Sequence, residues 1–162
     1  MYELEAILAR KETIEGALGD FQQARIIRLP QDILMIPMVG RLLMELEIKY
    51  QGGTKVTEPE IQQFSQSIDP AFERLIVGVE KFARYLSKHG LVAYVEATFV
   101  GGYGGHETMI WENGKVVGSR GDDINLVLRK LGVIAIRDSD EFDTVGLGRH
   151  RITKQWLTEN SK

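Results

Sequence analysis

Cysteine is absent from this chain of 162 residues. Without cysteine there are no disulfides, no thiolate-bound zinc, no iron–sulfur cluster and no cysteine nucleophile. A chain of this length buries roughly 70% of the surface that its unfolded form exposes, so it needs no such cross-link. The composition fits a reducing compartment, and we expect one cytoplasmic globular domain over residues 1–162.

Long apolar runs are also missing. Charged residues interrupt the N-terminus from Glu3 onward, so we expect no signal peptide there. The longest apolar stretch, residues 33–39, is broken by Pro37. It is far shorter than the ~18 residues that a membrane-spanning helix needs. The sequence therefore predicts no membrane association.

An excess of basic residues is missing as well. The chain has 20 Lys+Arg against 23 Asp+Glu, a formal net charge of -3, and both signs are spread evenly along it. No basic stripe is present that could neutralise several phosphates, and no aromatic residues interleave with basic ones as stacking platforms do. We therefore expect no nucleic-acid partner.

The N-terminal half contains mainly helical patterns. Apolar residues at helical spacing predict helices over 3–18 and 38–48, with a hairpin between them over 25–36. A capping-box pattern at Thr57 predicts the start of a short helix. An apolar stripe over 70–88 predicts the clearest helix of the chain.

The C-terminal half changes to a period of two. Alternation over 92–100 predicts a strand, a second strand follows at 106–112, and Asn113-Gly114 predicts a tight turn into a third. Asp122 or Asp123 can cap a helix that runs through Leu131. A further strand is predicted at residues 133–136 and a short helix around Trp156.

The order of these elements is not the strict alternation of a parallel α/β protein. We expect an α+β fold, in which the N-terminal hairpin and the C-terminal meander form an antiparallel sheet. The helices are expected to pack mainly on one face of that sheet. The edge strands of the meander can also pair with a second copy of the chain, which would give a homo-oligomer.

Four glycines in five residues form the most unusual segment, which is Gly101, Gly102, Tyr103, Gly104 and Gly105. Such a segment can bring its backbone close to an anion or a partner, or it can simply form a wide hairpin loop. A phosphate cradle is disfavoured, because a strand follows the loop instead of a helix. We predict that Tyr103, at the loop tip, anchors a protein partner.

Three polar residues follow or face this segment. If the hairpin forms, His106 and Glu96 can lie on facing strands near the loop, with Glu107 beside them. A His–carboxylate pair can orient a general base or hold a metal, although a polar pair on a solvated sheet face is the commoner arrangement. We expect no metal and no cofactor.

The segment Arg149-His150-Arg151 places two cations and a histidine behind two glycines. It can pair with the acidic run at 138–143, or it can clamp an anionic group with His150 as proton carrier. The acidic run begins like a calcium loop but lacks the glycine and the distal glutamate of an EF-hand. We interpret that run as a solvated acidic turn.

Residues 90–157 carry a recognisable series of short motifs. They are VAYVEATFVGGYGG, MIWENGKVVG, INLVLRKLGV and DEFDTVGLGRHRITKQWL. This series resembles a family of small uncharacterised bacterial proteins. The resemblance implies a small cytoplasmic bacterial protein, similar in size and acidity to immunity proteins that neutralise toxins. It implies no active site.

Two function hypotheses follow. The first is a non-enzymatic cytoplasmic binding protein, with immunity-like neutralisation of a protein partner as its most concrete form. It rests on mild acidity, the glycine-rich hairpin and the lack of a complete catalytic pattern. The alternative is a small hydrolase or transferase acting on an anionic substrate. Its site would combine Glu96, His106, Glu107, Arg149, His150 and Arg151.

Overall fold

A computed structural model of the protein describes residues 1–50, 72, 74–118 and 122–159. The strands are β1 (Tyr2–Arg10), β2 (Ile27–Leu29), β3 (Ile33–Pro37), β4 (Val92–Val100), β5 (Tyr103–Glu112) and β6 (Lys115–Val117). The helices are α1 (Lys11–Ile14), α2 (Gly40–Tyr50), α3 (Val77–Leu86), α4 (Ile124–Lys130) and α5 (Glu141–Thr144). Short 3₁₀ helices lie at Pro30–Asp32, Ser87–His89 and Thr153–Thr158.

The six strands form one antiparallel sheet in the order β2-β3-β1-β4-β5-β6. This confirms the predicted α+β fold, including the hairpin β2–β3 and the meander β4–β5–β6. The β5–β6 turn has Asn113 at φ 54° and Gly114 at φ 78°, the backbone that Asn-Gly favours in two-residue hairpins.

Each face of the sheet covers its own hydrophobic core. The two longest helices, α2 and α3, pack with α1 on the face that carries Ile7, Tyr94 and Trp111, here called the front face. The shorter helices and the last 3₁₀ helix pack on the back face, which carries Leu8 and Val95. The larger helices therefore lie on one face, as expected, and smaller ones cover the other.

The N-terminal helix predicted over 3–18 is wrong. Residues Tyr2–Arg10 form β1, which pairs with β3 on one side and β4 on the other. Both faces of this central strand are buried, so Leu4, Ile7 and Leu8 are all apolar despite pointing to opposite sides. A strand buried on both faces gives an almost continuous apolar run, which imitates helical spacing.

The strand predicted at residues 133–136 is also wrong. The Ile134 backbone N–H donates to Oε1 of Gln31 at 2.8 Å, and its C=O accepts from Nε2 of Gln31 at 2.7 Å. One glutamine side chain therefore takes the place of a neighbouring strand. Ile134 is 76% exposed, so its apolar side chain does not belong to a hydrophobic core.

The helix predicted over 70–88 begins later, at Val77. Leu75 is buried before the helix starts, and the Arg74 N–H donates to a Glu96 carboxylate oxygen at 3.0 Å. That bond holds the chain against the sheet ahead of the helix.

The short helix predicted from Thr57 lies outside the described residues. No helix within the described ranges is long and apolar enough to cross a membrane.

Candidate functional site

The hairpin β4–β5 ends in a tight two-residue turn. Val100 pairs with Tyr103, and Gly101 and Gly102 between them have φ values of 58° and 83°. Positive φ at both central positions is the geometry of a type I′ turn, which matches the twist of the flanking strands. Tyr103 is 84% exposed and Val100 is 54% exposed. The tip therefore presents an apolar pair on a regular hairpin.

Gly104 supports this turn through a close backbone approach. Its φ is 148°, and a Cβ atom there would overlap the Thr98 carbonyl oxygen and lie 2.7 Å from Phe99 Cα. A side chain therefore cannot be placed at this position without moving β4. The glycine-rich segment is a tight hairpin end rather than a wide loop.

A row of three glutamates crosses the front face near the hairpin. Glu5 of β1 pairs with Glu96 of β4, which pairs with Glu107 of β5. Glu5 and Glu96 are each 6% exposed, and Glu107 is half-buried. Directly paired residues on adjacent strands have close Cβ atoms, and like charges there repel one another. We call Glu5, Glu96 and Glu107 the carboxylate row.

Tyr94 connects two members of the carboxylate row. Its hydroxyl donates to Glu96 Oε2 at 2.8 Å and lies 3.1 Å from Glu5 Oε1. Burial raises the pKa of Glu5 to about 7, the Tyr94 hydrogen bond opposes that rise, and the charge of Glu96 adds to it. Burial, followed by the charges of Glu5 and Glu96, raises the pKa of Tyr94. A proton held on Glu5 near neutral pH keeps two buried negative charges from standing side by side at Glu5 and Glu96.

The Arg74 guanidinium lies next to the carboxylate row, on the side that faces the hairpin tip. Its guanidinium Nη2 donates to Thr98 Oγ1 at 2.8 Å and lies 3.8 Å from Glu3 Oε2. Its Nη1 atom is buried and has no hydrogen-bond partner among the described residues. Arg74 therefore links Glu3 of β1 to Thr98 of β4, one pair away from Glu5 and Glu96 on the side of the hairpin tip.

The structure does not bring His106 to Glu96. His106 pairs with Ala97, so it points to the back face, where its ring lies 6.5 Å from that of Phe99. Glu96 and Glu107 point to the front face. Because strand residues alternate between faces, neighbours in sequence are separated by the sheet itself. The predicted His–carboxylate pair is replaced by a glutamate–tyrosine cluster.

The segment Arg149–Arg151 lies beside β1, with β1 and β4 between it and β5. The Arg151 C=O accepts from the Glu3 N–H at 2.7 Å. Arg149 and His150 both bind the Glu159 carboxylate, at 2.9 and 2.8 Å. Their side chains also contact the Trp156 ring. The charged partner is thus Glu159 and not the acidic run at 138–143.

That acidic run builds a local helix instead of a ligand site. Asp140 caps α5 by accepting from the Asp143 N–H at 2.8 Å, and Glu141 pairs with Arg129 at 3.0 Å. Among the described residues, no group of three or more His, Asp or Glu side chains is arranged to hold a metal ion.

A shallow groove of about 530 Å³ lies along α2, on a different part of the front side. Its lining includes the exposed Met44 and Ile48 and the charged Asp20, Arg41 and Lys49. No residue of the glycine-rich hairpin or of the carboxylate row lines it. The groove is a second surface feature that the sequence analysis did not identify.

Sequence reasoning found Glu96 and Glu107 but missed Glu5, Tyr94 and Arg74. One signal was present for Glu5, because it is an acid inside the otherwise apolar run from Leu4 onward. A charged residue within a buried strand is uncommon and usually indicates a special role. That signal was obscured because the run was interpreted as a helix.

No protein-family model matches the chain, and neither curated proteins nor solved structures give a match. The resemblance of residues 90–157 to a family of small bacterial proteins therefore stays a prediction.

Proposed function

We propose that this chain is a non-enzymatic binding protein that holds a protein partner through the tip of the β4–β5 hairpin. The observation that carries the proposal is the 84% exposure of Tyr103 on a regular two-residue turn. Exposed tyrosines on rigid supports are frequent binding hot spots, because little conformational entropy is lost when they become buried.

Close packing of Gly104 against β4 makes the tip rigid. Gly104 is packed directly against the backbone of β4, and β4 itself is a central strand with residues 92–97 buried. Val100, opposite Tyr103, adds a second exposed apolar side chain. A partner therefore meets a preformed apolar pair, which lowers the entropic cost of binding.

The most concrete form of the proposal is immunity-like neutralisation of a basic enzyme in the cytoplasm. Support comes from charge: the chain has a formal net charge of -3, and the partly exposed Glu3 and Glu107 lie on the same face as the Tyr103 side chain. Complementary charge around an aromatic anchor speeds association and selects the partner.

The test is co-purification of the tagged full-length chain from its own host, followed by titration of the partner that is recovered. Tyr103→Ala is expected to weaken the complex by about 2 kcal/mol, roughly thirtyfold. The matched control is Ile134→Ala, which removes an exposed apolar side chain elsewhere and is expected to leave the affinity unchanged. Equal affinity of both variants would contradict the proposal.

The enzymatic alternative, a hydrolase or transferase acting on an anionic substrate, stays a hypothesis with fewer residues. Of its predicted set, Glu96 and Glu107 share one face, whereas His106 lies on the other and His150 is bound to Glu159. Among the described residues, the pKa of about 7 at Glu5 favours proton transfer there. Hydrolysis or group transfer of an anionic substrate that is lost in Glu5→Gln but kept in Tyr103→Ala would support this alternative.

A further inference from the structure

We propose that the outer edge of β5 binds an extended segment of the protein partner as an added strand. The inference rests on the proposed function and names the mode of binding and the chemistry of the bound segment. That segment carries a lysine or arginine opposite Glu107 and a large apolar residue opposite Gly105.

The geometry of the outer edge of β5 favours an added strand. β6 pairs with β5 only at Ile110, Trp111 and Glu112, so within the part of the chain that the structure describes no strand pairs with Tyr103–His106 on that side. Val100 and Tyr103 close the hairpin turn, and hydrogen-bonded pairs alternate along an antiparallel ladder. The backbone N–H and C=O of His106 are therefore directed away from β4, as an added strand requires.

The space above Gly105 favours a bulky side chain on the added strand. A Cβ atom built there meets nothing within 4 Å. Gly105 lies between Tyr103 and Glu107 on the front face of the same strand. A large side chain on a neighbouring strand can lie across such a glycine and fill the missing side-chain volume. The edge therefore favours a bulky apolar residue at the position opposite Gly105.

The charge of Glu107 favours a basic residue on the added strand. Glu5, Glu96 and Glu107 stand side by side on three adjacent strands, and Glu107 is the member closest to the outer edge. An added strand supplies the fourth position of this row. A cation at that position lies directly opposite Glu107 and is attracted by its carboxylate, whereas an anion is repelled. The bound segment is thus basic at one position and apolar two residues away, since alternate residues share a face.

The probe is a phage-displayed library of random peptides, selected on the folded full-length protein. We expect enrichment of peptides with Lys or Arg at one position and an aromatic or large aliphatic residue two positions away. The enriched peptide is then synthesised, and its affinity is measured by fluorescence polarisation. No enrichment, or enrichment without a basic residue, would overturn the proposal.

Backbone pairing is tested with two variants at one position. His106→Pro removes an outward N–H and the imidazole, whereas His106→Ala removes the imidazole and keeps the N–H. We expect the peptide to bind His106→Pro at least about tenfold more weakly than His106→Ala. Far-UV and near-UV circular dichroism confirm that both variants are folded. Equal binding by the two variants would exclude strand addition.

Charge selection is tested with Glu107→Gln and Glu107→Lys. The peptide is expected to bind Glu107→Gln more weakly and Glu107→Lys more weakly still, and the difference is expected to shrink in high salt. Unchanged affinity in both variants would overturn the assignment of the basic residue to this position.

Two outcomes separate strand addition at the edge of β5 from binding at the hairpin tip. A native partner that is lost in Tyr103→Ala but retained by His106→Pro would leave the hairpin tip as the binding site and overturn strand addition. A dimer of the chain itself, lost in His106→Pro by light scattering, would show that a second copy and not another protein occupies the edge, and would also overturn it.

Discussion

Glu5 is an acidic side chain in the middle of a strand that is buried on both faces. Its backbone position pairs it with Glu96, and the Tyr94 hydroxyl lies between the two carboxyl groups. A single hydroxyl hydrogen can satisfy only one of them fully. When Glu5 is protonated, its carboxyl can donate to the Tyr94 oxygen while Tyr94 donates to Glu96, so each buried group is satisfied.

This arrangement predicts how stability depends on pH. The unfolded chain releases the Glu5 proton near pH 4.5, whereas the folded chain holds it up to about pH 7. The folded state therefore binds more protons within this window, and the free energy of unfolding falls as the pH rises from 4.5 to 7. The fall from this one group is at most about 3 kcal/mol, and it adds nothing further above pH 7.

The measurement is urea denaturation of wild type and Glu5→Gln at pH 5 and pH 8. We expect the wild type to lose more stability than Glu5→Gln between the two pH values, since the amide does not titrate. Glu47→Gln, at an exposed position of α2, is the matched control and is expected to follow the wild type. Parallel pH profiles for wild type and Glu5→Gln would contradict the raised pKa.

Some residues of the candidate site could be predicted from the sequence, and others could not. The exposed Tyr103 could be predicted, because glycines on both sides favour a turn and an aromatic at a turn has little core to enter. Glu5, Tyr94 and Arg74 could not be identified as a group, since they come from three elements distant in sequence. Only strand pairing brings them together, and pairing depends on the register of β1 and β4.

The hairpin β4–β5 is the element that carries the proposed binding site. Gly104 has a φ of 148° and contacts the backbone of β4, whereas Gly105 has open space around its Cα. These two glycines are adjacent in sequence but differ completely in what they tolerate. They therefore give a matched pair for testing the geometry of the hairpin.

We expect Gly104→Ala to destabilise the protein by about 2 kcal/mol or more, because its Cβ overlaps the Thr98 carbonyl and the backbone conformation is strained. Gly105→Ala is expected to change the free energy of unfolding by less than about 0.5 kcal/mol. Urea denaturation of both variants provides the measurement. Similar losses in the two variants would show that the hairpin is not closed in this way.

At the level of elements, the C-terminal meander was predictable and the N-terminal strand was not. Alternation over 92–100 and the Asn113-Gly114 turn follow from local chemistry, and the structure has both. β1 is buried on both sides, so its pattern carries no alternation from which a strand could be recognised. The segment at 133–136 failed for the opposite reason, because Gln31 binds its backbone from a distant part of the chain.

Across the whole molecule, the two ends of the chain are joined at β1. β3 pairs with β1 only from Ala6 onward, and the C-terminal segment covers the residues before it. The Thr153 hydroxyl accepts from the Glu5 N–H at 2.9 Å and lies 3.3 Å from the Glu3 carbonyl oxygen. Trp156, fully buried on the back face, holds this segment in place.

This closure predicts a cost for removing one hydroxyl. Thr153→Val leaves the buried Glu5 N–H without its acceptor and is expected to cost about 1–3 kcal/mol. Thr153→Ser keeps the hydroxyl and is expected to cost clearly less. Thermal and urea unfolding of the two variants measure the difference. Equal stabilities would mean that the C-terminal segment contributes little to the folded sheet.

Contact between the tip of the β4–β5 hairpin and a protein partner can be tested directly in cells. The most direct measurement is photo-cross-linking in the source organism, with benzoylphenylalanine placed at position 103 and, separately, at the exposed position 134. Binding at the hairpin tip predicts a discrete adduct between this chain and one other protein from position 103 and none from position 134. No adduct from position 103, or the same adducts from both positions, would contradict it.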